Sequence, residues 1–213
     1  MDDVIFVSVA FGDRYVEQQE TLLNSIKIFY PEAKTLFFTD VLPIGSKPFF
    51  DSLYGFKPHA IMEARRMGYR KIIWLDPAMI LMGVVDDLLK YEVMAVKDDH
   101  KLGQFISDAY LMKYQFTREG MMSTPWHLVG GSLYYFDFNS QRACDIFNMW
   151  MLDEIEGLFG TQDQQASERL QGHRSDETCL AMAMYMKGVH PVSAPDVRYC
   201  TAENPMFIKK HFK

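Results

Sequence analysis

Apolar runs alternate with amphipathic stretches over the first third of the chain. The run VIFVSVA at 4–10 predicts a short β-strand, and KTLFFTD at 34–40 predicts a second one. RKIIWLD at 70–76 predicts a third strand, whose continuous hydrophobicity indicates burial on both faces. Apolar residues recurring with helical periodicity predict helices over 15–29 and 58–68, between these strands. The predicted order is therefore strand, helix, strand, helix, strand.

This order is typical of a largely parallel sheet with right-handed crossovers. In such sheets, ligands bind beyond the carboxyl ends of the strands. Residues suited to a binding site stand at the end of each predicted strand: Gly12 and Asp13 after the first, Asp40 at the end of the second, and Asp76 at the end of the third. Because these strand ends meet at one edge of the sheet, we expect a functional site at that edge.

The second part of the chain is less regular. The predicted elements are strands at 91–98 and 128–137 and helices at 140–159 and 175–188. Residues 100–128 are mixed, with helical stretches and a loop. Neither a repeat nor a low-complexity linker divides the sequence, so we expect a single domain over residues 1–213. That domain can still be one part of a longer protein.

Composition and charge narrow the function classes. The formal net charge of -6 argues against a nucleic-acid partner, because proteins that bind phosphate backbones usually present a basic face. No apolar run is long enough to cross a membrane, and the acidic N-terminus is unlike a signal peptide, so we expect a soluble cytoplasmic protein. The cysteines, Cys144, Cys179 and Cys200, are far apart and form no CxxC motif, which disfavours a zinc site or redox pair.

Three segments resemble a known family when taken together and in order. They are YGFKPHAIMEARRMGYRKIIWLDPAMILMGVVDDL at 54–88, VGGSLYYFD at 129–137 and HRSDETCLAMAM at 173–184. This set resembles the nucleotide-sugar glycosyltransferases of the GT-A class, including members encoded by chlorella viruses that build capsid glycans. The resemblance implies an α/β, Rossmann-like fold of three layers, with a central mostly parallel mixed sheet flanked by helices. It also implies transfer of a hexose from a UDP-sugar to a hydroxyl of a glycan or glycoprotein acceptor, and, for a viral protein, location in the host cytoplasm.

The resemblance places a DxD motif at residues 76–78, and the motif is broken. In the family, the two acids bind Mn2+ or Mg2+, which favour oxygen ligands and stabilise the departing diphosphate. Here the sequence reads Asp76-Pro77-Ala78. Three explanations of the missing second acid are open. The acid was lost, the enzyme is metal-independent and uses Lys or Arg instead, or the metal is held by Asp76 and a later residue. We favour a lost acid, because the surrounding residues keep the pattern, and we expect a weakened metal site.

The resemblance implies roles for further residues. On the donor side these are Val9, Ala10, Phe11 and Gly12 along the uracil and ribose, Asp40 on the base or ribose, and Lys57 and Arg65 as counter-charges for the diphosphate. On the acceptor side they are Gly130 and Gly131, which would let a sugar approach the backbone, and Trp126, which would stack on a sugar face. His211, favoured by its place in the basic C-terminal tail, or His190 is a candidate third metal ligand beside Asp76, with a structural role open for each.

The acidic start of the helix at 175–188 carries the candidate general bases. Asp176, or less favourably Glu177, would take the proton of the acceptor hydroxyl in an inverting transfer. Acids in a first helical turn are also favoured by the helix dipole alone, so a purely structural role stays open. A packing role for Trp126, a plain loop role for Asp40 and surface roles for Lys57 and Arg65 remain equally open.

Two other functions compete with glycosyl transfer. A sugar-phosphate nucleotidyltransferase would use a similar fold but usually has a glycine-rich loop after the first strand, whereas AFGDRYVEQQ has one glycine there. A non-catalytic nucleotide-sugar-binding domain is supported by Ala78. Turnover of a UDP-sugar with and without manganese would separate the enzyme from the binding domain.

Overall fold

The computed structural model describes residues 3–160 and 175–193, together with the backbone of 199–200 and 208–210. Its strands are β1 (Val4–Ala10), β2 (Lys34–Thr39), β3 (Lys71–Leu75), β4 (Met79–Leu81), β5 (Val93–Lys101), β6 (His127–Asp137), β7 (Tyr199–Cys200) and β8 (Ile208–Lys210). Its α-helices are α1 (Asp13–Phe29), α2 (Phe56–Arg66), α3 (Asp108–Tyr114), α4 (Arg118–Ser123), α5 (Gln141–Ile155) and α6 (Ser175–Met186).

The central sheet has five strands in the order β2-β1-β3-β6-β5. β1 pairs in parallel with both β2 and β3, whereas β6 runs antiparallel to its neighbours β3 and β5. Four of the five strands therefore share one direction, which confirms the prediction of a mostly parallel mixed sheet. β6 also extends past the carboxyl end of β3, since Leu133 lies opposite Leu75 and the strand begins six residues earlier at His127.

The helices flank the sheet and produce three layers. Along β3, Ile72 and Trp74 belong to one hydrophobic core, and Ile73 belongs to the other. This division follows from the strand, in which successive side chains point to opposite faces. Helices α2, α5 and α6 cover the first face, and α1 covers the second together with β4. The prediction that the third strand is buried on both faces is confirmed.

Several elements differ from the sequence interpretation. β4 was not predicted, and it forms a second sheet in the order β4-β8-β7. Within residues 100–128 the helical stretches are α3 and α4, and their N-caps Ser107 and Thr117 accept hydrogen bonds from Tyr110 and Gly120. Among the described helices, none combines the length and apolar character required to cross a membrane.

Candidate functional site

A cavity of about 500 Å³ opens at the carboxyl edge of the parallel strands. It is lined by Val9 and Phe11 at the end of β1, by Arg14, Tyr15 and Gln18 of α1, by Phe49, Tyr54, Phe56 and Lys57 at the approach to α2, and by Asp76, Pro77 and Ala78 after β3. The cavity lies at the edge of the sheet where the strand-end pattern predicts a functional site.

Asp76 is fixed in place at this edge by its backbone and its side chain. Its N–H donates to the Ser132 carbonyl of β6 over 2.9 Å, and its own carbonyl accepts from the N–H of Met79 over 3.0 Å. The Trp74 indole N–H donates to Asp76 Oδ1 over 3.1 Å. The side chain keeps 24% of its surface exposed. Ala78 lines the same cavity.

Lys57 is the centre of a buried polar cluster beside Asp76. Its Nζ donates to Asp176 Oδ2 over 2.7 Å and to the Gly131 carbonyl over 2.9 Å, and it lies 3.7 Å from Asp76 Oδ1. Only 3% of the residue is exposed. Burial alone would lower the pKa of Lys57, but the charges of Asp176 and Asp76 outweigh burial and raise that pKa above its ordinary value. Lys57 is therefore a buried cation whose charge is already balanced by the protein.

Asp176 and Glu177 begin α6 but have different surroundings. Asp176 is 2% exposed, and its Oδ2 accepts from the Tyr134 hydroxyl over 2.9 Å as well as from Lys57. Burial raises the pKa of Asp176, and the charge of Lys57 opposes that rise. Glu177 is only half-buried, and its Oε1 accepts from the Gly131 N–H over 2.8 Å. Both acids therefore lie near Asp76, and Glu177 is the more accessible one.

Gly131 allows these groups to come together. A Cβ at this position would lie 2.8 Å from Glu177 Oε1 and 2.9 Å from Lys57 Nζ, closer than real Cβ atoms approach such neighbours. At Gly130 the nearest atom to such a Cβ would be 3.9 Å away, which is an ordinary contact. A side chain at position 131 would therefore require Glu177 and Lys57 to shift, whereas one at position 130 would not.

The predicted nucleoside segment lies partly at the cavity. Val9 and Phe11 line it, whereas Ala10 is buried in the sheet. Gly12 has φ 76° and its N–H donates to Asp40 Oδ1 over 2.8 Å. Asp40 thus binds the backbone at the start of α1, which is the loop role left open by the sequence.

Two predicted site residues contact other parts of the fold. Arg65 packs its guanidinium 4.6 Å from the centre of the Phe138 ring, just beyond the end of β6 that lies opposite the start of β3. Arg65 therefore lies away from Lys57, because the two residues occupy opposite ends of α2. Trp126 stacks on Tyr185 with ring centres 4.8 Å apart, which is the packing role that the sequence left open.

The metal ligands can be tested against the chemistry of the side chains present. Among the described residues, no three His, Cys, Asp or Glu side chains group in a way that could hold a metal ion. Asp76 is a single carboxylate, and the neighbouring ammonium of Lys57 would repel a cation. The described donor set therefore does not fit a tightly held Mn2+ or Mg2+. His211 lies outside the described residues, although the backbone of its neighbour Lys210 pairs with Met79.

Sequence reasoning missed several residues of the cavity wall. Arg14 and Gln18 stand one helical turn apart on α1, and Tyr15 lies beside them. Their position at the start of a helix that follows a strand end is the signal that could have identified them. Phe49 and Tyr54 come from a turn-rich segment, and no periodicity indicates where its side chains point.

Comparison with known proteins gives fold-level matches. No family model and no curated protein matches the chain. The galactosyltransferase LgtC, solved with donor and acceptor sugar analogues, matches over 98% of this chain and 87% of its own, with 12% identity and a TM-score of 0.50. The chain has a GT-A fold. The bifunctional glycosyltransferase WbbM matches over 99% of this chain and 46% of its own at 13% identity, but its TM-score of 0.47 is too low to establish a shared fold. The GT-A fold was predicted from the sequence, whereas the viral part of the resemblance stays a prediction.

Proposed function

We propose that this chain is a glycosyltransferase that moves a hexose from a UDP-sugar to a hydroxyl of a glycan acceptor. The observation that carries the proposal is the cavity at the carboxyl edge of a GT-A sheet, with the partly exposed carboxylate of Asp76 in its wall. The fold match to a galactosyltransferase supports the same reaction class. Val9 and Phe11 would contact the nucleoside, and Asp76 would face the ribose and diphosphate.

Arg14 is proposed as the cation that contacts the donor diphosphate. Lys57 also lines the cavity, but its ammonium donates to Asp176 and to the Gly131 carbonyl and lies 3.7 Å from Asp76 Oδ1. An incoming anion would have to break a buried ion pair to recruit it. Arg14 is exposed, and it forms no ion pair with a carboxylate in the described part of the chain. Its planar guanidinium can bind two phosphate oxygens at once.

Glu177 is proposed as the general base of an inverting transfer. Such a base must reach the acceptor hydroxyl and take its proton as the sugar is attacked. Asp176 was the first choice from the sequence, but it is buried beside Lys57 and Tyr134, and its Oδ2 already accepts a hydrogen bond from each of them. Glu177 is half-buried on the same helical turn. Asp176 is accordingly assigned the role of positioning Lys57.

The substitution Ala78→Asp tests the proposed function most directly. It would add a second carboxylate to the wall that Asp76 already lines, and so supply the oxygen ligand that the described donor set lacks. We expect transfer, or manganese-dependent binding of UDP, to rise at least about tenfold, which corresponds to roughly 1.4 kcal/mol. The measurement is hydrolysis and transfer of a panel of UDP-sugars with and without manganese.

Ala78→Asn serves as the matched control, because it has a similar size without the charge. An equal gain in both variants, or an unchanged rate at saturating manganese, would contradict the lost-acid explanation. Ala78 also favours a second candidate function, a non-catalytic nucleotide-sugar-binding domain. Nucleotide binding without any turnover in the Ala78→Asp variant would support that candidate.

A further inference from the structure

One wall of the cavity is formed by the loop at 44–55, which leads into α2. It contributes Phe49 and Tyr54, whose ring centres are 5.3 Å apart. Tyr54 has φ 60°, a left-handed backbone conformation that costs a non-glycine residue free energy. Its ring also lies 4.9 Å from Lys57 Nζ. A strained residue at this place persists only if the surrounding structure holds the loop in one conformation.

The groups that hold this loop converge on Glu154, a residue of α5 that is 1% exposed. Glu154 Oε2 lies 2.9 Å from His59 Nε2, and Oε1 lies 3.5 Å from Lys47 Nζ. Lys47 Nζ also donates to the carbonyl oxygens of Glu154 over 3.0 Å and Ile155 over 3.3 Å. One buried acid therefore binds a lysine of the loop and a histidine of the helix that the loop enters.

The loop backbone lies directly on this carboxylate. A Cβ at Gly55 would come within 2.9 Å of Glu154 Oε1 and within 2.3 Å of Ser52 Oγ, so a larger residue would force these side chains to shift. Gly55 immediately precedes Phe56 and Lys57, which both line the cavity. A shift of Glu154 would therefore be transmitted over a few residues to the cavity wall.

We propose that Glu154, which does not line the cavity, is a positioning residue for donor binding because it fixes the loop at 44–55. Its proposed ligand, the nucleotide sugar, rests on the function proposed above. The carboxylate acts through the loop: it fixes Lys47, His59 and the Gly55 backbone, and these place Phe49 and Tyr54 against the bound donor.

The neighbouring acid Asp153 provides a matched control. It is also on α5 and 0% exposed, but it accepts from the Tyr110 and Tyr114 hydroxyls over 2.7 Å and 2.6 Å and from Lys113 Nζ over 2.8 Å. All three partners belong to α3, not to the loop at 44–55. If Glu154 had only a structural role, Glu154→Gln and Asp153→Asn would change the loop and UDP affinity to a similar extent. If Glu154 positions the loop, only Glu154→Gln would change them.

The experiment compares the unmodified chain with Glu154→Gln, Lys47→Met and Asp153→Asn. Hydrogen exchange is read over 44–55, and UDP affinity is measured by calorimetry well below each melting temperature. We expect Glu154→Gln to lower UDP affinity at least about fivefold and the exchange protection of 44–55 at least about tenfold. In Asp153→Asn, both quantities should stay within about twofold of their values in the unmodified chain. Lys47→Met should lower the same two quantities as Glu154→Gln. If Glu154→Gln does not fold, the result for Lys47→Met tests the proposal instead.

Equal losses in Glu154→Gln and Asp153→Asn, or unchanged exchange over 44–55, would overturn the assignment. If the unmodified chain binds no UDP, the proposed function fails, and hydrogen exchange still reports whether Glu154 fixes the loop. Selective loss of protection over 44–55 without any change in UDP affinity would show that the loop is anchored but does not position the donor, and would also overturn the proposal.

Discussion

Breaking the Lys57–Asp176 pair should reveal how strongly the site depends on charge balance. The two charges are 2.7 Å apart, which corresponds to an attraction of about 6 kcal/mol at an effective dielectric constant near 20. Taking each ion out of water costs several kcal/mol, so the pair contributes little net stability. Removing one partner is nevertheless strongly destabilising, because the other charge stays buried without its counter-charge. We expect Lys57→Met to lower the free energy of unfolding by about 3–5 kcal/mol.

The two single substitutions should not be equivalent. Lys57→Met leaves the carboxylate of Asp176 buried with the Tyr134 hydroxyl as a remaining partner. Asp176→Asn leaves Lys57 with a second acid, Asp76, at 3.7 Å, and should therefore cost less. The double variant removes both buried charges, so its loss should be smaller than the sum of the single losses by at least about 2 kcal/mol.

Urea unfolding, followed by tryptophan fluorescence and circular dichroism, measures all three variants. Lys71→Met is the control, because Lys71 pairs with Asp3 at 3.3 Å on the surface and should contribute less than about 1 kcal/mol. Additivity of the Lys57 and Asp176 effects within about 0.5 kcal/mol would refute the argument, because independent sites behave in that way.

Three further predictions concern the cavity and its support. Gly131→Ala should cost about 1–3 kcal/mol in the same unfolding assay and reduce transfer, because the new methyl group displaces Glu177. Arg14→Met should weaken UDP binding about tenfold in calorimetry while Arg142→Met does not, and equal effects would exclude a specific phosphate contact. Although burial pushes the pKa of Glu154 upward, the hydrogen bond from His59 and nearby positive charge lower it overall, so its carboxylate stabilises the fold at neutral pH and loses that effect as pH falls through the lowered pKa. The stability gap between the unmodified chain and Glu154→Gln should therefore narrow in acid titrations, and a constant gap would contradict this.

The edge of the sheet was predictable because it depends on local patterns. Continuous apolar runs identify β1 and β3 as buried parallel strands, and parallel strands end at a common edge. The position of Asp76 followed from that alone, and Ala78 two residues later was expected to lie beside it. Both residues line the cavity, as the strand-end argument requires.

Residues placed by tertiary contacts were not predictable in the same way. Arg65 is eight residues beyond Lys57 on α2, so about 12 Å of helix separates them, and family position was a poor guide. The acids at the start of α6 could be explained by the helix dipole, and it is burial together with the contacts with Lys57 and Tyr134 that distinguishes Asp176 from Glu177. The loop at 44–55 carries turn-forming residues, but its conformation depends on Glu154, which lies far along the sequence.

The pairing of Lys57 with Asp176 also has a consequence for how the protein folds. The two residues are separated by 119 positions, so the strands and helices up to α5 can form while Lys57 still lacks its main partner. Contacts of such long range raise the entropy cost of closing the chain and slow folding. The buried Lys57–Asp176 pair should therefore form late along the folding pathway, at the step in which α6 docks.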